Sequence, residues 1–523
     1  MTERTPTSYD ELPYACHPVH PTHPDNLACK ALLHGLRSPD VAACRVLELG
    51  CGTGGNLIPL AQLLPGSRFV GLDNAARQIA QGQAVVKTLG LENIDLRVLS
   101  LAEVDTSLGA FDYILCHGVF SWVSREDQDR ILEIVRQHLS PRGVAFVSYN
   151  TLPGWHLRGL IRDILCYHVR GRGDAAAKVL KARAYLDFLV RATPEQDSVY
   201  ARLLRQEADL LRRTPDTYVF HEHLEELNQP LYFHQFAERL AAHRLQFLCE
   251  AKFHAQAASF SAELTSQLDA LARDRLEYEQ QIDLVCNGTF RRSLVCHADV
   301  PIAARPAPLA LQQLRLATRV EPVRNPPDMT SQAAEEFRGA DKETITTTLP
   351  LLKAALVCLS EQRPRSLPFA ELRDQAHARL GQSPDAVQSL QDTEVLAAAL
   401  LRCHQCDLID VYGQDAVFVV PASQRPQARP LARLQASHGE PVSNLRHRIV
   451  DVNDLDRFVL FHLDGTRDRV ALQQAVMDQV RRGALVLQHR GQPVQDPALI
   501  EQVVEHAVAQ GLEKLASLAL LID

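Results

Sequence analysis

The stretch Val46-Leu47-Glu48-Leu49-Gly50-Cys51-Gly52-Thr53-Gly54-Gly55-Asn56 decides the fold. An apolar strand runs into a turn with glycines at 50, 52, 54 and 55, where a backbone that approaches a ligand closely cannot carry Cβ atoms. The helix expected after it would offer N–H groups to an anion, as nucleotide cradles do. Spacing alone satisfies two fingerprints. Gly50, Gly52 and Gly55 fit the dinucleotide G-x-G-x-x-G, and Gly50, Gly52 and Gly54 fit the tighter G-x-G-x-G.

Working outward, the next strand, SRFVGLD, ends at Asp73, 23 positions after Gly50, about where a strand-end carboxylate reaches ribose hydroxyls. Both fingerprints want that acid. The discrimination comes from Glu48, two residues before the first glycine, and from three later elements: the strand FDYILCHGVFSWV from Phe111 to Val123, the helix REDQDRILEIVRQHL, and the turn and strand LSPRGVAFVSYN. In these elements the chain resembles the class I S-adenosylmethionine (SAM)-dependent methyltransferases, whose signature is E/D-x-G-x-G-x-G with an acid ending strand 2 and an F-D-x-I/V strand 4. The resemblance implies SAM as cofactor. It also implies a cofactor-binding set of Glu48, Gly50, Cys51, Gly52 and Gly54 on the turn, Asp73 and Asn74 after strand 2, and His117 after strand 4. Many members place an acid after strand 3 to read the adenine; here that position offers Ser100 and Leu101, so the Ser100 hydroxyl or backbone groups are expected there, with Leu72 and Leu101 sandwiching the ring.

A narrower resemblance rests on SYDELPYACHPVHPTHPDNLA, HGVFSWV, SYNTLPGWH and HEHLEELNQPLYFHQFAERLAAHRLQFLCEA. These are similar to bacterial methyltransferases that carry a methyltransferase regulatory domain, a family that includes protein-lysine methyltransferases acting on outer-membrane proteins. It implies a protein substrate, an outer-membrane or surface protein among the choices. A methyltransferase of a small metabolite or glycan, and a SAM-sensing interaction protein without turnover, stay open beside it.

Composition bounds the rest. At 523 residues, two to four domains are expected. The net charge of −8 argues against nonspecific nucleic-acid binding, so nucleic acid is not an expected partner. No uncharged run approaches a bilayer span, and the first thirty residues hold Glu3, Asp10, Glu11, Asp25 and five prolines rather than a basic, then apolar, leader. A cytoplasmic protein without membrane insertion is expected. The twelve cysteines show no framework spacing, and the one C-x-x-C, Cys403 and Cys406, lacks the second pair a zinc site needs, so no metal is expected.

The expected architecture is α/β: a seven-stranded Rossmann-like sheet with a helical insertion, then mainly helical, winged-helix-like C-terminal domains. Residues 1–155 alternate strand and helix. Residues 156–302 hold a helical insertion or regulatory region, with Leu160, Ile164, Leu165, Tyr185, Phe188 and Leu189 at helical spacing, plus the last two strands, the final one antiparallel. Residues 303–348 read as a proline-rich linker, 349–422 as a winged-helix-like domain and 423–523 as a helical domain.

Methyl transfer from a sulfonium is an in-line displacement, so the protein chiefly holds nucleophile, methyl and sulfur collinear. Aromatic faces suit the cation. The two tryptophans, Trp122 and Trp155, both come after strand exits on the ligand edge, with Tyr149 and Asn150 beside the second. Trp155 and Asn150 are candidate acceptor-pocket residues, Tyr14 a candidate cover and His117 a candidate base. A lysine acceptor, with a reference pKa near 10.4, is roughly one part in a thousand free amine at neutral pH, and burial among aromatics would raise that share.

Overall fold

The computed structural model describes the chain except residues 1–10, 13–15, 172, 254–259, 340–342, 416, 421, 487, 490–491, 494–496 and 523, together with the side chains of 487–498. The chain divides into two compact units. One comprises residues 30–306 with the N-terminus to Cys16; the other comprises His17–Cys29 and residues 307–523.

The first unit is built on seven strands: β1 Arg45–Leu49, β2 Arg68–Asp73, β3 Ile94–Val98, β4 Phe111–Cys116, β5 Leu139–Asn150, β6 Leu245–Glu250 and β7 Phe290–His297. Their order is β3-β2-β1-β4-β5-β7-β6. The first five pair in parallel, and β7 runs antiparallel between β5 and β6, as expected of the final strand. Parallel strands need cover on both faces, which is why β1 and β4 are buried along nearly their whole length. Helix Ala76–Leu89 stops at Gly90, whose φ of +64° supplies the left-handed cap. Helix Arg125–His138 starts at Ser124, which accepts from the Asp127 N–H.

Helices Gly154–Val169, Ala175–Ala192, Val199–Arg213 and Asp216–His223 form the insertion. Their shared core is Ile161, Leu165, Val179, Leu186, Leu204, Leu211 and Val219. Of the positions the periodicity picked, Leu165 lies in this core and Tyr185 and Leu189 pack against it, whereas Leu160 and Phe188 face solvent. Two helices, Ala262–Leu271 and Arg275–Cys286, precede β7, and Asp274 caps the second by accepting from the Leu276 and Glu277 N–H groups. On β7, Arg291 is wholly buried and paired with Glu250 at 2.9 Å, Glu279 at 3.0 Å and Asp283 at 2.8 Å. Removing the arginine would strand buried carboxylates, at a cost of about 3–5 kcal/mol.

The stretch 303–348, in the second unit from Ala307 on, is not a bare linker. It holds strands Arg315–Thr318, Val320–Pro322, Glu335–Gly339 and Thr344–Thr347, because Leu316, Val320 and Phe337 between the prolines are buried core residues. Strand Arg315–Thr318 pairs with Leu367–Pro368 and with Ile409–Tyr412, beside helices Pro350–Glu361, Phe369–Arg379 and Ala386–Gln405. Next come helices Pro430–His438, Asp454–Phe461, Arg469–Arg481 and Pro497–Ser517 and the short pair Val442–Ser443 with Ile449–Val450; Leu460, Val476, Val504, Val508 and Leu512 form their core. Cys403 is buried and Cys406 half-buried, and among the described residues no His, Cys, Asp or Glu cluster is arranged to hold a metal. No helix of the described residues is long and apolar enough to cross a membrane.

Candidate active site

The turn after β1 is stitched to β2. Gly50 and Cys51 donate their N–H groups to the Leu72 carbonyl at 2.8 and 3.1 Å, and Gly52 donates to Asp73 Oδ2 at 2.8 Å. Asp73 Oδ1 accepts from the Ala75 N–H at 2.8 Å. Three glycines sit at positive φ, +73° at Gly50, +53° at Gly52 and +73° at Gly54. A Cβ on Gly50 would lie 2.3 Å from Val119 Cγ2, which brings the exit of β4 against the exit of β1. These turn amides serve the backbone and Asp73, so the arrangement is a stiff platform beside the ligand rather than a phosphate nest.

Glu48 is the polar residue at its base. Asn56, at the N-terminus of helix Leu57–Leu63, leaves that helix uncapped by its side chain and instead donates to Glu48 Oε1 at 2.8 Å. Glu48 Oε2 is buried with no hydrogen-bond partner among the described residues. Burial pushes the Glu48 carboxyl up to about 8, against the Asn56 hydrogen bond and with Asp73 adding to the rise. An orphaned carboxyl oxygen of this kind fits a cationic ligand, and SAM carries both an ammonium and a sulfonium.

The remaining residues expected to touch the cofactor are spread along this edge. Cys51 and Leu72 are buried, Asn74 is exposed, and Leu72 and Leu101 pack in one apolar cluster. Ser100 has a job in the fold: it caps the short helix Leu101–Glu103, its hydroxyl donating to Glu103 at 2.7 Å. Tyr14 lies outside the described residues.

At the exits of β4 and β5, along the same end of the sheet, His117 Nδ1 stands 3.0 Å from Ser148 Oγ, which accepts from the Gly118 N–H at 2.9 Å. The rings of Phe146 and Phe290 flank the imidazole, and burial, with Arg292 adding, pushes it down to about 4. It is neutral at physiological pH and a weak base. Trp122 meets Trp155 edge-on, ring centres 6.1 Å apart. Trp155 is buried, its Nε1–H has no partner among the described residues, and the Arg158 guanidinium lies 5.1 Å from its ring. Tyr149 is fully buried against Phe236 at 4.3 Å and belongs to the core.

Asn150 is the hub of this edge. Its N–H donates to Ser121 Oγ at 2.8 Å, its carbonyl accepts from Leu231 at 3.2 Å, and its Nδ2 donates to Asn228 Oδ1 at 3.0 Å. Gln229 donates its N–H to the Ser121 carbonyl at 2.7 Å, and Thr151 Oγ1 donates to the Leu231 carbonyl at 2.8 Å. Sequence reasoning passed over Ser121 and Asn228. The polar, proline-marked run Asn228-Gln229-Pro230 within an apolar stretch was the signal available for the second.

The sheet order, glycine platform and strand-end acid together define a SAM-dependent methyltransferase. Residues 47–145 match the methyltransferase domain family, 215–297 the predicted methyltransferase regulatory domain, and 424–520 the PKMT C-terminal winged helix domain. The last of these falls on the stretch read from sequence as a helical domain, one module beyond the expected 349–422. The Rickettsia prowazekii protein RP789 is 33% identical over 522 residues, covering 98% of this chain and 93% of its own. RP028 of the same organism is 40% identical over 232 residues, 44% of this chain and 93% of its own. The structure of PKMT2 from Rickettsia typhi in complex with AdoHcy superposes with a TM-score of 0.87 at 29% identity, over 98% of this chain and 100% of that one. The chain belongs to the SAM-dependent methyltransferases that combine a methyltransferase regulatory domain with a PKMT-type winged-helix domain, and SAM is its methyl donor.

Proposed function

We propose that this enzyme methylates lysine side chains of a protein substrate, with an outer-membrane or surface protein as the acceptor class. The observation that carries the reading is the likeness to PKMT2 over nearly the whole chain, C-terminal module included. SAM supplies a methyl group already activated by the sulfonium, and the residues here supply position and electrostatics. Asp73 is assigned to the ribose, Glu48 Oε2 to a cationic group of the donor, Gly50, Cys51, Gly52 and Gly54 to the platform, and Asn74, Ser100 and Leu101 to the adenine end. Trp122, Trp155 and Asn150 are assigned to the acceptor. His117, pushed down to about 4, serves as a neutral hydrogen-bonding wall rather than a strong base. The amine then becomes nucleophilic because an aromatic, poorly hydrated pocket disfavours its charge. Twelve cysteines without framework spacing support a cytoplasmic site of action.

The test is transfer of labelled methyl from SAM into a bacterial lysate, with hydrolysis and amino-acid analysis of the product. Label in N-methyl-lysine is expected. Label confined to small molecules would transfer the assignment to a metabolite or glycan acceptor, and no label with intact SAM binding would make the protein a SAM sensor.

A further inference from the structure

Trp155 lies in the first turn of helix Gly154–Val169, and its buried indole N–H has no hydrogen-bond partner among the described residues. The plane of the ring is therefore set by what lies against it. Trp122 meets it edge-on, with 81° between the two planes, and the Arg158 guanidinium stands over it at 5.1 Å. Arg158 is three positions further along the same helix, so the two side chains share one face.

What holds Arg158 comes from later in the insertion. Its guanidinium donates to Tyr218 Oη at 2.9 Å, on helix Asp216–His223, and its Nε stands 3.9 Å from Glu207 Oε1, on helix Val199–Arg213. Tyr218 is the firmer partner. Glu207 is at the limit of pairing, and burial pushes its carboxyl up against the opposing charge of Arg158. Burial also works against the charge of Arg158, but Tyr218, Glu207 and Glu222 outweigh it, so the guanidinium is held above its ordinary value and stays charged. A planar guanidinium donates hydrogen bonds from its edge while its face meets a ring, which a lysine ammonium cannot do.

We propose that Arg158 is a positioning residue for the methyl acceptor: braced by Tyr218 and Glu207 from two helices of the insertion, it fixes the Trp155 ring against Trp122 in the orientation that the acceptor side chain meets. The proposal rests on the assignment of Trp155 to the acceptor, and it gives the insertion a stated part in the reaction. A ring turned out of place misaligns the nucleophile with the methyl group, which slows transfer. Donor binding is left alone, since the glycine platform and Asp73 make none of these contacts.

Trp122 and Trp155 are the only tryptophans of the chain, so tryptophan emission and the tryptophan band of near-UV circular dichroism report on this pair alone. The experiment uses full-length enzyme with Arg158→Met, which keeps the apolar stem and removes the cation, and Tyr218→Phe, which removes one hydroxyl. Three quantities are measured: the tryptophan signals, SAM affinity by calorimetry, and the rate of labelled methyl transfer from SAM into a bacterial outer-membrane protein extract over a range of extract concentrations. Arg158→Met is expected to change the tryptophan signals while far-UV circular dichroism stays parent-like, to keep SAM affinity within about threefold, and to lower transfer efficiency about tenfold. Tyr218→Phe should change the same signals in the same direction and lower transfer about threefold. Should Arg158→Met fail to fold, Tyr218→Phe carries the test. Parent-like tryptophan signals in a folded variant overturn the hold on the ring. Changed signals with parent-like transfer overturn its part in the reaction, and so does an equal fall in SAM affinity and transfer. If the parent enzyme labels only small molecules, the protein-acceptor reading fails and the same comparison is made on that label; if the parent labels nothing, both fail.

Discussion

The exits of β1 and β2, here the donor edge, and those of β4 and β5, here the acceptor edge, lie along one end of the parallel sheet and are built in different ways. On the donor edge the polar contacts join residues close in sequence: Glu48 with Asn56, Gly52 with Asp73, Asp73 with Ala75. On the acceptor edge Asn150 is bonded to Asn228, Thr151 to Leu231 and Ser121 to Gln229, across most of the helical insertion. A local motif can hold a donor common to many enzymes; an acceptor pocket is assembled by the later chain that returns to it, so the insertion and the 228–231 segment can change acceptor without touching the donor.

Gly52→Val should break the donor edge most completely. It places a branched side chain at φ +53° with its Cβ against Cys16 Sγ and within 2.8 Å of Gln78 Oε1. Loss of measurable SAM binding by calorimetry, in a protein with parent-like circular dichroism, is expected. Asp73→Ala comes next. It removes the acceptor of two backbone N–H groups and the proposed ribose contacts; two charge-assisted bonds at roughly 1.5–3 kcal/mol each amount to about a hundredfold in affinity or more. Affinity within threefold of the parent would remove Asp73 from the ribose.

That contrast also explains what was legible. The seven strands, their donor edge and the antiparallel β7 were readable because a glycine turn, a strand-end acid and period-two or continuous apolar runs are local signals. In the insertion the helical spacing found Leu165, Tyr185 and Leu189 but also took Leu160, since Leu160 and Ile161 are both apolar and only the packing of four helices selects Ile161. Strand Arg315–Thr318 hid behind prolines because its partner Ile409–Tyr412 lies some ninety residues on, and Val320–Pro322, Glu335–Gly339 and Thr344–Thr347, which pair with one another, are only three to five residues long. For the same reason the chain did not read as one whose first thirty residues belong to two units.

Asn228→Ala sharpens the comparison from the acceptor side. It strips Asn150 Nδ2 of its partner, at about 1–3 kcal/mol for the donor left buried, without touching the glycine platform. Turnover (kcat/KM) is expected to fall about tenfold, with SAM affinity inside threefold of the parent. Equal losses in both would mean that the two edges are one mechanical unit and that donor and acceptor binding cannot vary separately.

The smallest effect at any one pH, and the most diagnostic, belongs to Glu48→Gln. In the free enzyme burial holds the Glu48 carboxyl up at about 8, so near pH 7 it is mostly protonated. A cationic donor against Oε2 favours the ionised form, which lowers that value in the complex, so binding releases a proton and SAM affinity rises with pH towards 8, by at most about tenfold per unit. The glutamine variant keeps the shape and loses the titration, and the donor's own amino group titrates alike with both proteins, so the difference between their affinity profiles isolates Glu48. Stability of the free enzyme gives an independent sign. A carboxyl whose folded value is raised contributes stability that is fully present below its ordinary value of 4.5 and is lost as pH rises from there to about 8, so Tm of the parent should fall relative to the variant over that interval. Parallel affinity profiles with diverging Tm would leave Glu48 as a buried acid of the fold and remove it from the donor; parallel profiles in both would mean that it is already ionised and paired in the free enzyme.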